Sequence, residues 1–238
     1  MSTHVFERHG GLPAVHLSDR GRHLAWLGGG LVFGFLVSFV LADTLGLPRD
    51  LYYGIYAVSV AALFVGWART TGQSLRGMIR RRWKLALVLG LAGAGAMALV
   101  ALNAEEATAR PDGLELVGAV LWRGVVYGLA DGLLLSAFPI LVVFAAFAGS
   151  RLRERWTGTI AVGLAALVAS LAMTTSYHLG YSDFRSEKVG RAVSGDVVWS
   201  MPTLLTLNPV GAPIAHAGLH VTAVVNSYET DLFLPPHE

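Results

Sequence analysis

Two histidines, His216 and His220, stand four residues apart in the mostly apolar stretch from Asn208 to Asn226. On a helix that spacing puts both imidazoles on one face, where they suit two nitrogen ligands of one metal ion or a pair holding a water. Each ring could equally hydrogen-bond a neighbouring carbonyl. A third histidine, His178, closes an earlier apolar run, with Tyr181 and Asp183 just beyond it. Earlier still, Glu115, Arg123 and Asp131 follow one another at intervals of eight and fall near one helical face. Arg123 and Asp131 would lie about 12 Å apart along the axis, too far to pair directly. Ionisable groups inside apolar segments are costly and mark functional sites by default. The plainer alternative is that each pairs with a neighbouring helix and fixes packing. His4, His9, His16, His23 and His237 are near the termini and are expected in solvent.

The elements that must position these groups are membrane helices. Of 238 residues, 54% are hydrophobic and 14% charged, where water-soluble domains carry about a quarter charged residues. The charges gather into short blocks between long apolar runs, the pattern of a polytopic helical membrane protein. A formal net charge of +2 does not suggest nucleic-acid binding. There are no cysteines, which excludes disulfides, zinc–thiolate sites and cysteine nucleophiles. Residues 1–22 are polar and mixed in charge, unlike a cleavable signal peptide.

Apolar runs cover Leu24 to Leu41, Leu51 to Ala68, Trp83 to Leu102, Leu114 to Ala148 and Thr157 to Tyr177. A shorter run, Gly211 to Val225, follows a broken apolar patch from Val197 to Leu207. Arg69, Arg76, Arg80, Arg81, Arg82 and Lys84 crowd the link between the second and third runs, which the positive-inside rule places in the cytoplasm. The block Arg151 to Arg155 belongs on the same side, so the fourth run reads as one long helix, with Pro139 offering a kink. The expectation is an all-α transmembrane bundle of about six spans in the plasma membrane, with both termini cytoplasmic. Its parts are an N-terminal segment 1–23, one transmembrane domain 24–227 and a cytoplasmic tail 228–238. Segment 180–195 becomes an external loop, and the tail, "SYETDLFLPPHE", is surface-bound or disordered. The glycines Gly28, Gly29, Gly30, Gly90, Gly93 and Gly95 read as helix-packing positions.

The order of motifs resembles the CAAX prenyl protease and bacteriocin-processing (CPBP, or Abi) family of intramembrane proteases. "GAVLWRGVVYGLADG" resembles the family's glutamate-pair and arginine motif around Arg123, "MTTSYHLGY" its histidine-closed helix with His178, and "IAHAGLHV" its last motif. There His216 takes the histidine place and His220 that of the usual asparagine. The resemblance covers about Leu114 to Val225, half the chain. Gly118 and Ala119 stand where two glutamates are usual, so the expected general base is missing. "EEATAR" at Glu105–Arg110 matches the letter pattern but lies in a loop beside Pro111. Glu115 or Asp131 could supply the carboxylate from another turn of the same helix.

The resemblance implies Arg123, His178, His216 and His220 as site residues, with Glu115 or Asp131 as base. His178, His216 and His220 are the candidate ligands of a divalent metal such as zinc, with Asp183 or Glu115 as a further carboxylate. Two functions follow: divergent hydrolysis of a membrane peptide or protein, or a catalytically inactive relative that binds a partner within the lipid bilayer. A transporter would be expected to show two repeats with paired half-helices, and no repeat is visible.

Overall fold

In a computed structural model, which describes residues 19–229 and 232–235, the chain forms an all-α helical bundle. Helix α1 is Asp19–Thr44, α2 is Arg49–Thr70, α3 is the short Leu75–Arg80 and α4 is Trp83–Ala104. Helix α5 is Gly113–Ala146, α6 is Trp156–Gly180, α7 is Lys188–Thr206 and α8 is Gly211–Asn226. Five of these, α1, α2, α4, α5 and α6, are long and apolar enough to cross a membrane. Large apolar side chains face outward on them, such as Val58, Leu99 and Val168, each more than 60% exposed. The interior holds the polar groups, including Asp131, Asp196, His178, His216 and His220. A bundle with an apolar outside and polar groups within suits a lipid surround.

Helix α5 is continuous, as expected, but its irregularity is not a simple proline kink. Two π-helical segments, Val120–Val126 and Leu133–Ala137, flank Asp131. The second ends just before Pro139, whose missing N–H such a widened turn accommodates.

The last third departs from the sequence reading. Part of the expected external loop is helical, because α7 begins at Lys188 and carries Asp196 and Pro202 inward. At its end Leu207 adopts a left-handed φ of 53°. Asn208 then donates from its amide to the carbonyls of Ile79 and Arg81, at 2.8 and 2.6 Å, and accepts from Val210 N–H. The α7–α8 turn is thereby pinned to the cationic loop.

Small residues let α8 into the groove between α4 and α5. Gly124, Gly128 and Gly132 recur every fourth residue and face Val221, Ala217 and Pro213 in turn. A methyl group on Gly128 would stand 2.6 Å from the Cα of Ala217. The partner numbers fall as the glycine numbers rise, so α5 and α8 are antiparallel. On the other side Gly218 abuts Ala94, and Gly90 meets Gly211 and Ile214, so α4 and α8 run parallel. Close approach through small residues is how helices associate in lipid. Gly90 and Gly93 thus pack as expected, and Gly30 meets Phe138; Gly28, Gly29 and Gly95 have open space.

Arg20 donates to the carbonyl of Ala146 and Arg22 to that of Thr70, so the start of α1 lies at the cationic end. Asn226 bonds Thr108 N–H and the Glu105 carbonyl, at the opposite end. The added rod α7 reverses α8, so the first turn of α1 and the last turn of α8 lie at opposite ends of the bundle, where six spans would have put them at one end. The tail also differs. Leu234 is fully buried against Ala119, Ala223 and Val224, neither surface-bound nor loose. His23 is buried and accepts from Trp67 Nε1 at 3.0 Å, so it is no solvated terminal residue. His4, His9, His16 and His237 lie outside the described residues.

Candidate functional site

The glycine ladder of α5 sets Asp131 directly against α8. Its Oδ2 lies 3.0 Å from His216 Nε2 and 3.4 Å from His220 Nε2. The other oxygen, Oδ1, accepts from the Tyr56 hydroxyl of α2 at 2.6 Å. The two imidazoles are nearly parallel, 20° apart with centroids at 4.9 Å. Trp199 of α7 covers His216 at 4.4 Å between ring centroids, and Tyr127 of α5 meets His220 edge-on at 4.7 Å. All of these side chains are buried, so their rotamers are set by packing on four helices.

One oxygen and two nitrogens thus converge, all within 4.8 Å of one another. Donors at 2.0–2.1 Å around a tetrahedral zinc would stand about 3.3 Å apart. The two carboxylate–imidazole separations already suit a shared ion. His220 Nε2, 3.4 Å from Asp131 Oδ2, has no hydrogen-bond partner among the described residues. A buried polar atom left so costs about 1–3 kcal/mol, and a cation at the point of convergence would satisfy it. The donor set therefore fits a divalent metal, with three protein ligands and one position left toward a cavity.

That cavity, about 430 Å³, runs from Asp131, His178, His216 and His220 to the exposed residues Ala104, Arg191 and Ser194. Those lie at the end away from the cationic loop. His178 therefore shares the cavity but is not one of the three converging donors. Its Nδ1 lies 2.8 Å from the Thr174 carbonyl. A carbonyl only accepts, so Nδ1 carries the proton and Nε2 offers a lone pair.

The other sequence candidates lie elsewhere. Arg123 makes two 2.8 Å hydrogen bonds to the Asp50 carboxylate and stacks on Tyr228. It borders a separate pocket with Glu115, Gly118 and Ala119. Glu115 is exposed, and so is Asp183 on the turn Ser182–Phe184. Of the two carboxylates weighed as a base, Asp131 is the one beside the histidines.

Sequence reasoning passed over three sets of residues. Tyr56 and Trp199 frame the donors. Asp196 accepts from the hydroxyls of Ser136, Ser200, Ser170 and Thr174 at 2.7–2.9 Å, tying α5, α6 and α7 together behind His178. The hydroxyls of Tyr52, Tyr127, Tyr177 and Tyr181 form one buried network beside Tyr56. The four-residue spacings Ser170–Thr174, Asp196–Ser200 and Tyr52–Tyr56 were the available signals.

Fold and site together define a helical membrane-type bundle with a buried carboxylate–dihistidine cluster. No family model, curated protein or solved structure matches the chain.

Proposed function

We propose that the protein is an integral membrane hydrolase, a divergent relative of the CPBP proteases, whose centre is Asp131, His216 and His220. The observation that carries this reading is the convergence of those three donors at the blind end of one cavity. In this reading the carboxylate stands at Asp131, further along the helix from Gly118 and Ala119 where the family's glutamates are usual.

Asp131, His216 and His220 would hold the ion. Zinc bound in that way would bring a water's pKa near 7 and polarise a carbonyl. Tyr56 holds one carboxylate oxygen and so aims the other at the two imidazoles. Trp199 and Tyr127 fix the ring planes and keep lipid away. His178 presents Nε2 on the same cavity, where it can take a proton from a reacting group. The substrate is a membrane peptide or protein segment. By the positive-inside rule the Arg76–Lys84 loop faces the cytoplasm of a plasma-membrane protein, so the cavity opens outward.

Metal analysis of the detergent-purified protein tests the centre. One zinc or cobalt ion per chain is expected, with a tetrahedral cobalt spectrum. His216→Ala, His220→Ala and Asp131→Asn lose it, and His178→Ala keeps it. A folded wild-type chain that takes up no ion overturns the reading. Gly118 and Ala119 favour a second reading, an inactive relative that binds without cleaving; ion binding with no hydrolysis of any membrane peptide would select it.

A further inference from the structure

The chain does not leave the bundle after α8. Glu229 N–H donates to Thr108 Oγ1 at 3.1 Å. Further on, Leu232, Phe233 and Pro235 line the same cavity as Asp131, His178, His216 and His220. Phe233 and Leu234 reach two apolar clusters, and Phe233 borders both. Phe233 packs on the cluster of Met97, Ala101, Trp199 and Leu219, while Leu234 is sunk against Ala119, Ala223 and Val224. The backbone bends at Leu232, Phe233 and Leu234, which turns these side chains toward more than one wall. The Phe233 main-chain carbonyl lies near His220.

We propose that Leu232–Pro235 is an internal ligand of this cavity, a cap that covers the centre and exchanges with an apolar peptide supplied in trans. One of its features singles out a peptide over an acyl chain: a main-chain carbonyl near His220. The inference rests on reading the cavity as the working site, and it names what must move before that site can be used. Because Leu234 has no exposed surface, displacement must lift it out of its pocket, and the cap opens as one piece with Phe233.

The absence of cysteine makes a clean test possible. Leu219→Cys places one thiol on the cavity wall, next to His220. In the full chain it reacts slowly with a small charged thiol reagent. With Phe233→Asp and Leu234→Asp added, labelling speeds up about tenfold or more, as expected when a local closure is released. A synthetic peptide with the native sequence of residues 231–236 restores slow labelling, and the same peptide carrying the two aspartates does not. Equal rates in the capped and aspartate chains overturn the cap. Fast labelling that the native peptide fails to slow, or that an acyl-chain amphiphile slows equally well, overturns the exchange with a peptide. Should the aspartate chain misfold, Met97→Cys with Phe233→Cys supplies a second reading: ready disulfide formation on mild oxidation supports the cap, and its absence overturns it. Neither readout uses an ion or turnover, so failure here leaves metal binding standing, and failure of metal binding leaves these results interpretable.

Discussion

Tyr56→Phe removes one hydroxyl and little else. The ring keeps its stacking on Tyr52 and its contacts with Tyr127 and Tyr177. What disappears is the 2.6 Å bond to Asp131 Oδ1. Two costs can be compared. Hydrogen bonds between helices in a membrane contribute about 0.6 kcal/mol to stability on average. Partners that orient a metal ligand are worth about 10–100-fold in metal affinity, which is about 1.4–2.7 kcal/mol. Affinity should therefore move further than stability. Competition for zinc or cobalt against a chromophoric chelator, in detergent, is expected to show that weakening while the unfolding temperature shifts little. A change under about twofold, with the fold intact, would refute the idea that Tyr56 aims the carboxylate.

Gly132→Ala sets a methyl 2.7 Å from the Pro213 Cα and 2.8 Å from His216 Cβ; overpacking of about 1–3 kcal/mol should push α8 away and weaken metal binding with every ligand still present, measured by the same competition. Asp196→Ala takes the shared acceptor from four buried hydroxyls, of which Ser170 keeps the Leu135 carbonyl, and should lower stability by about 1–3 kcal/mol, more than Ser136→Ala, in thermal unfolding. Arg123→Ala acts outside the cavity, so metal affinity should hold within about twofold; a larger loss would tie Arg123 to the centre. Single cysteines at Gly77 and Glu229 should be labelled from opposite faces of sealed vesicles, and labelling from one face would reject the path of α7.

The helices α1, α2, α4, α5 and α6 were legible because each is a long apolar run, and lipid-facing surface makes hydropathy a direct signal. Helix α7 was not, because Lys188, Arg191, Asp196 and Pro202 break its apolar run. Asp196 is held inside by Ser200 on its own helix and by hydroxyls from α5 and α6, up to 60 residues away, and the distant pairings have no local signature. Without α7, the direction of α8 reads in reverse. The facing of His216 and His220 was legible from their spacing of four. Their partner was not: Asp131 and His216 meet because Gly124, Gly128 and Gly132 let two backbones touch, and the earlier attention to glycines fell on other helices. Arg123 drew attention as a charge in an apolar run, but Asp50, on a helix of its own, answers it.

Asn208 has a consequence for sidedness. Its amide ties the first turn of α8 to the cationic loop, so α8 has no freedom to slide along its own axis. His216 stands eight residues further on, about 12 Å from that anchor, and the cavity at the centre leads away, toward Ala104 and Arg191. Supply and removal of anything small are thus one-sided. A chelator that cannot cross the bilayer strips the ion when added on the Ala104 side and leaves it in place when added on the side of Asn208. Under the metal reading, the compartment that loads the centre is set by where one side-chain amide holds one helix.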